Sequence, residues 1–204
     1  MKLYSAPRTR AIRARWLLEE LGVPYELVKL DLARQENTTP AYLALNPLGE
    51  VPALVDGDVT LLESLAICLH LADRFPEKHL APRVGSAERG PYYQWMVFAE
   101  ARLEPVVMEF YRHAQLPEEQ KASAHAKDEL AKHRTRLTAV LDVIQGGLGG
   151  REFLVGGAFT AADVVMASIL HLAYTLKLLD GHPRLVEYAH RHAQRPAVRK
   201  AVSG

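Results

Sequence analysis

The sequence predicts two unlike halves, a mixed α/β segment of about 76 residues followed by an all-helical segment of about 120. Three observations predict this. Strand-like and helix-like stretches alternate as far as Pro76, only helical periodicity follows from about Glu88, and His79 to Arg89 between them carries Pro82, Gly85 and Ser86 in the manner of a linker. A length of 204 residues fits one large domain or two small ones. With 49% apolar and 24% charged residues the composition is globular, which excludes disorder and collagen-like repeats.

Taken in order, Lys2-Leu3-Tyr4 is a short strand, ended by Pro7. From Arg10 to Leu21, apolar Ile12, Ala14, Trp16, Leu17 and Leu21 alternate with Arg10, Arg13, Arg15, Glu19 and Glu20 as in an amphipathic helix. Gly22 and Pro24 then stop the helix, and Tyr25 to Leu30 resumes a strand, giving a unit of βαβ size. A short helix is expected over Pro40 to Leu45, a turn at Asn46-Pro47-Leu48-Gly49, and a strand over Val51 to Val55. Asp56-Gly57-Asp58 reads as a hairpin turn into Val59 to Leu62. Ser64 to Phe75 is helical. Beyond the linker, helices are expected over Tyr92–Tyr111, Pro117–Ile144, Ala161–Leu178 and Pro183–Ala193, with a short tail from Pro196; Phe153-Leu154-Val155 is ambiguous.

Charge and cysteine content exclude several function classes. Twenty-five basic and 24 acidic side chains leave a net charge of +1, too balanced for affinity built on nucleic-acid counterion release. A single cysteine, Cys68, rules out an intrachain disulfide and a cysteine-based zinc or iron–sulfur centre, and its place between Ile67 and Leu69 reads as an inert buried thiol. Arginines from Arg8 onward interrupt any signal-peptide core, and no apolar run approaches a membrane span. The first 18 residues are arginine-rich and acid-free like a transit peptide, but Glu19-Glu20 and the strand at the start argue for mature protein. The expectation is a cytoplasmic protein with no membrane or nucleic-acid partner. Among nine histidines no HExxH occurs; His190 and His192 read as solvated, and no metal site is expected.

Four stretches carry chemistry worth weighing. Val51-Pro52 is either a trans proline at an edge strand or a cis bond that turns the Val51 backbone outward to pair with an extended peptide. Glu63-Ser64, between a strand and a helix, is either a plain helix cap or a carboxylate site at a helix N-terminus. Pro7-Arg8-Thr9-Arg10 is either a solvated loop or a positive corner able to favour a thiolate. Thr160-Ala161-Ala162-Asp163 reads as a capping box.

In this order and at these spacings, several stretches resemble the glutathione transferase family over nearly the whole chain. They are Trp16 to Tyr25, Asn46 to Leu54, Leu62 to Ile67, Phe159 to Asp163 and Gln194 to Val198. The resemblance implies a thioredoxin-like glutathione-binding domain over residues 1–77, a linker over 78–87, and a helical domain over 88–204 that contributes an electrophile site and a homodimer interface. It implies that Val51, before a cis Pro52, pairs with the cysteinyl backbone of glutathione. Glu63 and Ser64 hold its γ-glutamyl end, Asn37 or Thr38 meets its glycyl carboxylate, and Glu50 stands where Gln or Lys is usual. Glu100 reaches the partner subunit's glutathione.

Family members stabilise the thiolate with a Tyr, Ser or Cys near the first strand–helix junction. Here Tyr4 lies on the strand, Arg8 and Arg10 stand where other classes place Ser or Cys, and the expectation falls on Thr9 as donor to sulfur, Arg10 as charge and Ser5 as alternative. Met108, Phe110, Tyr111 and Tyr174 are candidates for the acceptor pocket with Arg112 at its rim, although aromatics at helical spacing also suit a core. The expected activity is addition of glutathione, as co-substrate and without further cofactor, to small apolar electrophiles. Glutathione-dependent peroxide or disulfide reduction without a protein cysteine is one alternative; a non-catalytic binding module is another.

Overall fold

Four short strands build the N-terminal sheet: β1 (Lys2–Ser5), β2 (Glu26–Lys29), β3 (Ala53–Asp56) and β4 (Val59–Leu62), in the spatial order β2-β1-β3-β4. The structure is a computed structural model that describes residues 1–203. β1 and β2 are parallel and joined through α1 (Ala11–Leu21), the expected βαβ unit, while β3 runs antiparallel to both β1 and β4. Gly22 ends α1 in the left-handed region at φ 65°, its N–H reaching the Leu18 carbonyl. Gly57, at φ 61°, turns the β3–β4 hairpin.

Leu17, Leu18 and Leu21 of α1 and Ile67 and Leu71 of α3 (Ser64–Arg74) pack with Leu3 and Leu54 of the sheet, all buried. Strand alternation sends Leu3 and Ser5 into this side and Tyr4 to the other, where its ring meets Tyr42 of α2 (Pro40–Leu43) at 5.4 Å. Buried Asp56 ties the hairpin to α3: its Oδ2 lies 2.9 Å from His70 Nε2 and 2.9 Å from Arg74 Nε.

The chain divides into two units, residues 1–84 together with those from Gln194 onward, and residues 85–193. The break after Val84 falls inside the expected linker 78–87, but the C-terminal tail, expected in the helical domain, belongs with the sheet. The reason is local. Arg195 donates to both Glu20 carboxylate oxygens at 2.5 and 2.8 Å, Arg15 Nη2 donates to the Lys200 carbonyl at 2.9 Å, and α10 (Pro196–Ser203) buries Ala197 and Ala201.

The second unit is helical. The single helix expected over Tyr92–Tyr111 is α4 (Arg89–Phe98) and α5 (Glu104–Ala114) joined by a π-helical turn at Ala99–Leu103. The helix expected over Pro117–Ile144 breaks at Ser123 into α6 (Glu118–Ala122) and α7 (Ala124–Leu148), because the Ser123 hydroxyl accepts the Ala126 N–H at 3.2 Å. α8 (Ala161–Thr175) and α9 (Pro183–Ala193) follow, and Tyr92, Met96, Leu103, Val107, Leu137 and Leu170 fill the core. Gly147 of α7 faces the Trp95 indole so closely that an added Cβ would lie 2.2 Å from it.

Phe153 to Val155 is not a strand. The Leu154 N–H instead donates to the fully buried Asp163, which also receives the Thr160 N–H, the Thr160 hydroxyl and the Tyr188 hydroxyl. This is more than the expected capping box, since one carboxylate ties the α8 start to a loop and to α9. His192, expected in solvent, is buried among the rings of Phe153, Phe159 and Tyr188, at 4.3–5.9 Å between centroids; the α9 periodicity turns it inward with Leu185 and Tyr188. Cys68 is buried. Among the described residues no helix is long and apolar enough to cross a membrane.

Candidate functional site

The strand register determines what meets at one end of the sheet. Tyr4 pairs with Ala53 and Ala53 with Leu62, so continuing both registers sets Ala6 and Ser64 on either side of Val51. The loop entering α1, the turn before β3 and the start of α3 therefore converge.

The first of these segments leaves β1 at Ser5 and passes Arg8, at φ 58°, to Arg10, which occupies the α1 cap position and is exposed. Thr9 Oγ1 donates to the Ala6 carbonyl at 2.7 Å. A hydroxyl has one proton, and this one is committed to closing the loop. In this arrangement the Thr9 proton, expected to face sulfur, points at Ala6. Ser5 points into the unit, mostly buried, and its hydroxyl has no hydrogen-bond partner among the described residues. The backbone N–H groups of Arg8 and Thr9, in the loop just before α1, are likewise unpaired there. Against this loop lies an open depression of about 450 Å³ lined by Ala6, Pro7, Lys29, Leu30, Asp31 and Glu36.

In the second segment the Val51-Pro52 peptide is cis. The Glu50 carbonyl accepts the Tyr42 hydroxyl at 2.5 Å and Asn46 Nδ2 at 2.6 Å, which anchors the residue before Val51. Burial pushes the Tyr42 phenol up to about 12. The Val51 N–H and carbonyl have no hydrogen-bond partner among the described residues, so this stretch of backbone stays open to an added strand. The Glu50 side chain is exposed. Asn37 Nδ2 donates to the Gly49 carbonyl at 2.7 Å and Thr38 Oγ1 to the Gln35 carbonyl at 2.8 Å, leaving Asn37 one amide proton and the Thr38 hydroxyl none for a ligand.

The third segment does not follow the plain-cap reading. Glu63 holds a left-handed backbone, φ 65° and ψ 119°, which is unusual for a residue with a Cβ, and no side chain caps α3. Ser64 is 2% exposed and its Oγ accepts from Nη1 of Arg13 at 3.2 Å. Arg13 is itself 4% exposed, although the helical pattern placed it with the polar residues of α1. Sequence reasoning missed it, because one arginine in a run of alternating charges carries no signal of burial.

The acceptor candidates lie in the helical unit. Met108, Tyr111 and Arg112 share one face of α5 at i, i+3 and i+4; Met108 is half-buried, Tyr111 and Arg112 are exposed, and Arg112 pairs with Glu109. Phe110 is a core residue with the Arg134 guanidinium 4.9 Å over its ring. Tyr174 is 39% exposed and meets the His190 ring edge-on at 4.4 Å. Glu100 sits half-buried in the π-helical turn.

Fold and site together define a thioredoxin-like sheet unit with an open stretch of backbone before β3, continued by an all-helical unit. Comparison with known proteins agrees. The family description "Glutathione S-transferase, N-terminal domain" matches residues 1–73 and "Glutathione S-transferase, C-terminal domain" matches residues 95–196. Glutathione S-transferase GstA of Escherichia coli O157:H7 is 32% identical over 206 residues, spanning 100% of this chain and 98% of the relative. A sphingomonad glutathione S-transferase solved as a complex with glutathione superposes with a TM-score of 0.81 at 32% identity, covering 99% of this chain and 97% of the other. BphK, a bacterial glutathione S-transferase solved as a ternary complex, gives 0.83 at 31%, covering 99% and 98%. The chain belongs to the glutathione S-transferase family, a family of transferases.

Proposed function

We propose that this protein holds reduced glutathione along the Val51 edge, keeps its sulfur as the thiolate at the start of α1, and adds it to small apolar electrophiles. One observation carries the reading: the unpaired Val51 backbone, the Ser64 hydroxyl and the unpaired N–H groups before α1 lie at the same end of the sheet. An extended tripeptide pairing with Val51 would direct its ends toward the other two. In support, the sphingomonad relative is a glutathione complex.

In this reading Ser64 and Glu63 take the γ-glutamyl carboxylate and ammonium, the remaining amide proton of Asn37 meets the glycyl carboxylate, and exposed Glu50 stays off the anionic ligand. Ser5, the Arg8 and Thr9 N–H groups and the Arg10 charge favour the thiolate. Lowering a thiol pKa from about 8.5 by two units takes about 2.7 kcal/mol. A hydrogen bond to a charged group supplies about 1.5–3 kcal/mol and a helix N-terminus about 0.3–1 more, so these groups suffice. Met108, Tyr111 and Arg112 contact the acceptor. Glutathione is the co-substrate and no further cofactor is required.

We place the protein in the cytoplasm as a homodimer engaged in detoxification. Tyr93 and Val97, one turn apart on α4 and 44% and 55% exposed, offer apolar surface for the second subunit, and Glu100 on the following turn would reach the partner's glutathione. Calorimetry with glutathione, followed by turnover with an aryl halide beside a hydroperoxide and a small disulfide, tests the function. Faster turnover of the aryl halide is expected. Preference for the other two would indicate a reductase, and failure to bind at millimolar glutathione a non-catalytic module. Light scattering at micromolar protein is expected to give a dimer; a monomer would remove Glu100 from the site.

A further inference from the structure

A buried cation on α1 stands directly behind the start of α3. Arg13 is 4% exposed and Ser64 2% exposed, and Nη1 of Arg13 donates to Ser64 Oγ at 3.2 Å. Because that oxygen is already an acceptor toward α1, its single proton turns elsewhere, and among the described residues nothing accepts it. A buried donor left in this way is satisfied by a ligand or water or not at all. It opens an eleven-residue helix whose first N–H groups present positive potential, and the left-handed Glu63 before it supplies no side-chain cap to cover them. A hydroxyl that accepts from Arg13, so that its proton turns away from α1, and a bare helix start both favour the same ligand group, a carboxylate.

We infer that Arg13 is a positioning residue for substrate: its hydrogen bond to Ser64 Oγ fixes the serine as a donor facing the start of α3, where it takes the γ-glutamyl carboxylate of glutathione. This rests on the glutathione reading above. A purely structural Arg13, one that only ties α1 to α3, would behave differently in the following test.

Glutathione KM and kcat are measured with an aryl halide for the unmutated protein, Arg13→Met, Arg13→Lys, Ser64→Ala and the double variant Arg13→Met/Ser64→Ala. Cysteinylglycine, a thiol lacking the γ-glutamyl group, is run in parallel. Loss of one charge-assisted hydrogen bond predicts a KM for glutathione about tenfold higher in Arg13→Met, with kcat within about threefold. Ser64→Ala raises KM to a similar degree, and the double variant is within about twofold of the worse single variant, since the two residues act through one contact. Arg13→Lys, which keeps a cationic donor, recovers most of the loss, and KM for cysteinylglycine does not move. An unchanged KM in Arg13→Met, multiplicative losses in the double variant, or an equal loss with cysteinylglycine would each overturn the inference while leaving the glutathione reading intact. If Arg13→Met does not fold, Arg13→Lys replaces it in the cycle, with a KM rise of about threefold and the same non-additivity expected. Absence of glutathione turnover in the unmutated protein would sink both.

Discussion

Replacing Ser5 with alanine removes a hydroxyl that has no hydrogen-bond partner among the described residues at the end of β1, close to where the thiolate is proposed to sit. If that hydroxyl donates to sulfur, its loss forfeits about 1.5–3 kcal/mol of charge-assisted bonding. At about 1.4 kcal/mol per unit, the pKa of bound glutathione rises by about one to two units. Thr9→Val gives the contrasting result. Its hydroxyl proton is held by the Ala6 carbonyl at 2.7 Å, so the substitution costs about 1 kcal/mol of stability and shifts the thiol titration by less than about half a unit. Thiolate absorbance of the bound ligand, followed against pH in the parent and both variants, separates the two. A titration that moves with Thr9→Val and stays put with Ser5→Ala would refute the assignment.

Three further outcomes are expected. Gly147→Ala gains about 1 kcal/mol of helix propensity but pushes a methyl to 2.2 Å from the rigid Trp95 ring, for a net loss of about 1–3 kcal/mol in urea unfolding; Trp95→Leu in the same chain relieves the overlap, and a stabilised single variant would contradict the packing. Asp163→Asn turns one acceptor oxygen into a donor facing two other donors in a fully buried site and costs about 2–5 kcal/mol by the same assay, whereas a loss below about 1 kcal/mol would show that the carboxylate does not organise the unit. Burial, and secondarily the charge of His190, hold the His171 imidazole below its ordinary value of 6.5. The unfolded chain takes that proton first, so the stability contribution is complete above about pH 6.5 and is lost as pH falls toward the folded pKa. Melting temperatures at about pH 7.5 and about pH 5.5 should therefore converge in His171→Gln relative to the parent.

What the sequence made legible was local punctuation and periodicity. Gly22 stops α1, the Asp56-Gly57-Asp58 turn makes the hairpin, and Pro183–Ala193 is helical over the expected span, because each follows from a few neighbouring residues. Val51 and Glu63-Ser64 are candidates by residue type and position, and the register brings their segments to one end of the sheet. The missed features depend on partners distant in sequence or on a single proton. Arg13 is buried because Ser64, 51 positions away, accepts from it. The tail joins the sheet unit because Arg195 finds Glu20 across 175 positions. The Thr9 proton is held by one bond to Ala6, which residue type cannot reveal. His192 looked like a solvated base until the helix phase turned it inward.

The pairing of Arg195 with Glu20 has a consequence for biosynthesis. A ribosome makes α1 before α10, so the surface of α1 that receives Ala197 and Ala201 waits uncovered while the intervening helices are produced. The proposed glutathione-holding unit is thus begun before the helical unit and finished after it. Release of the nascent chain short of Gln194 would leave that unit without its closing helix.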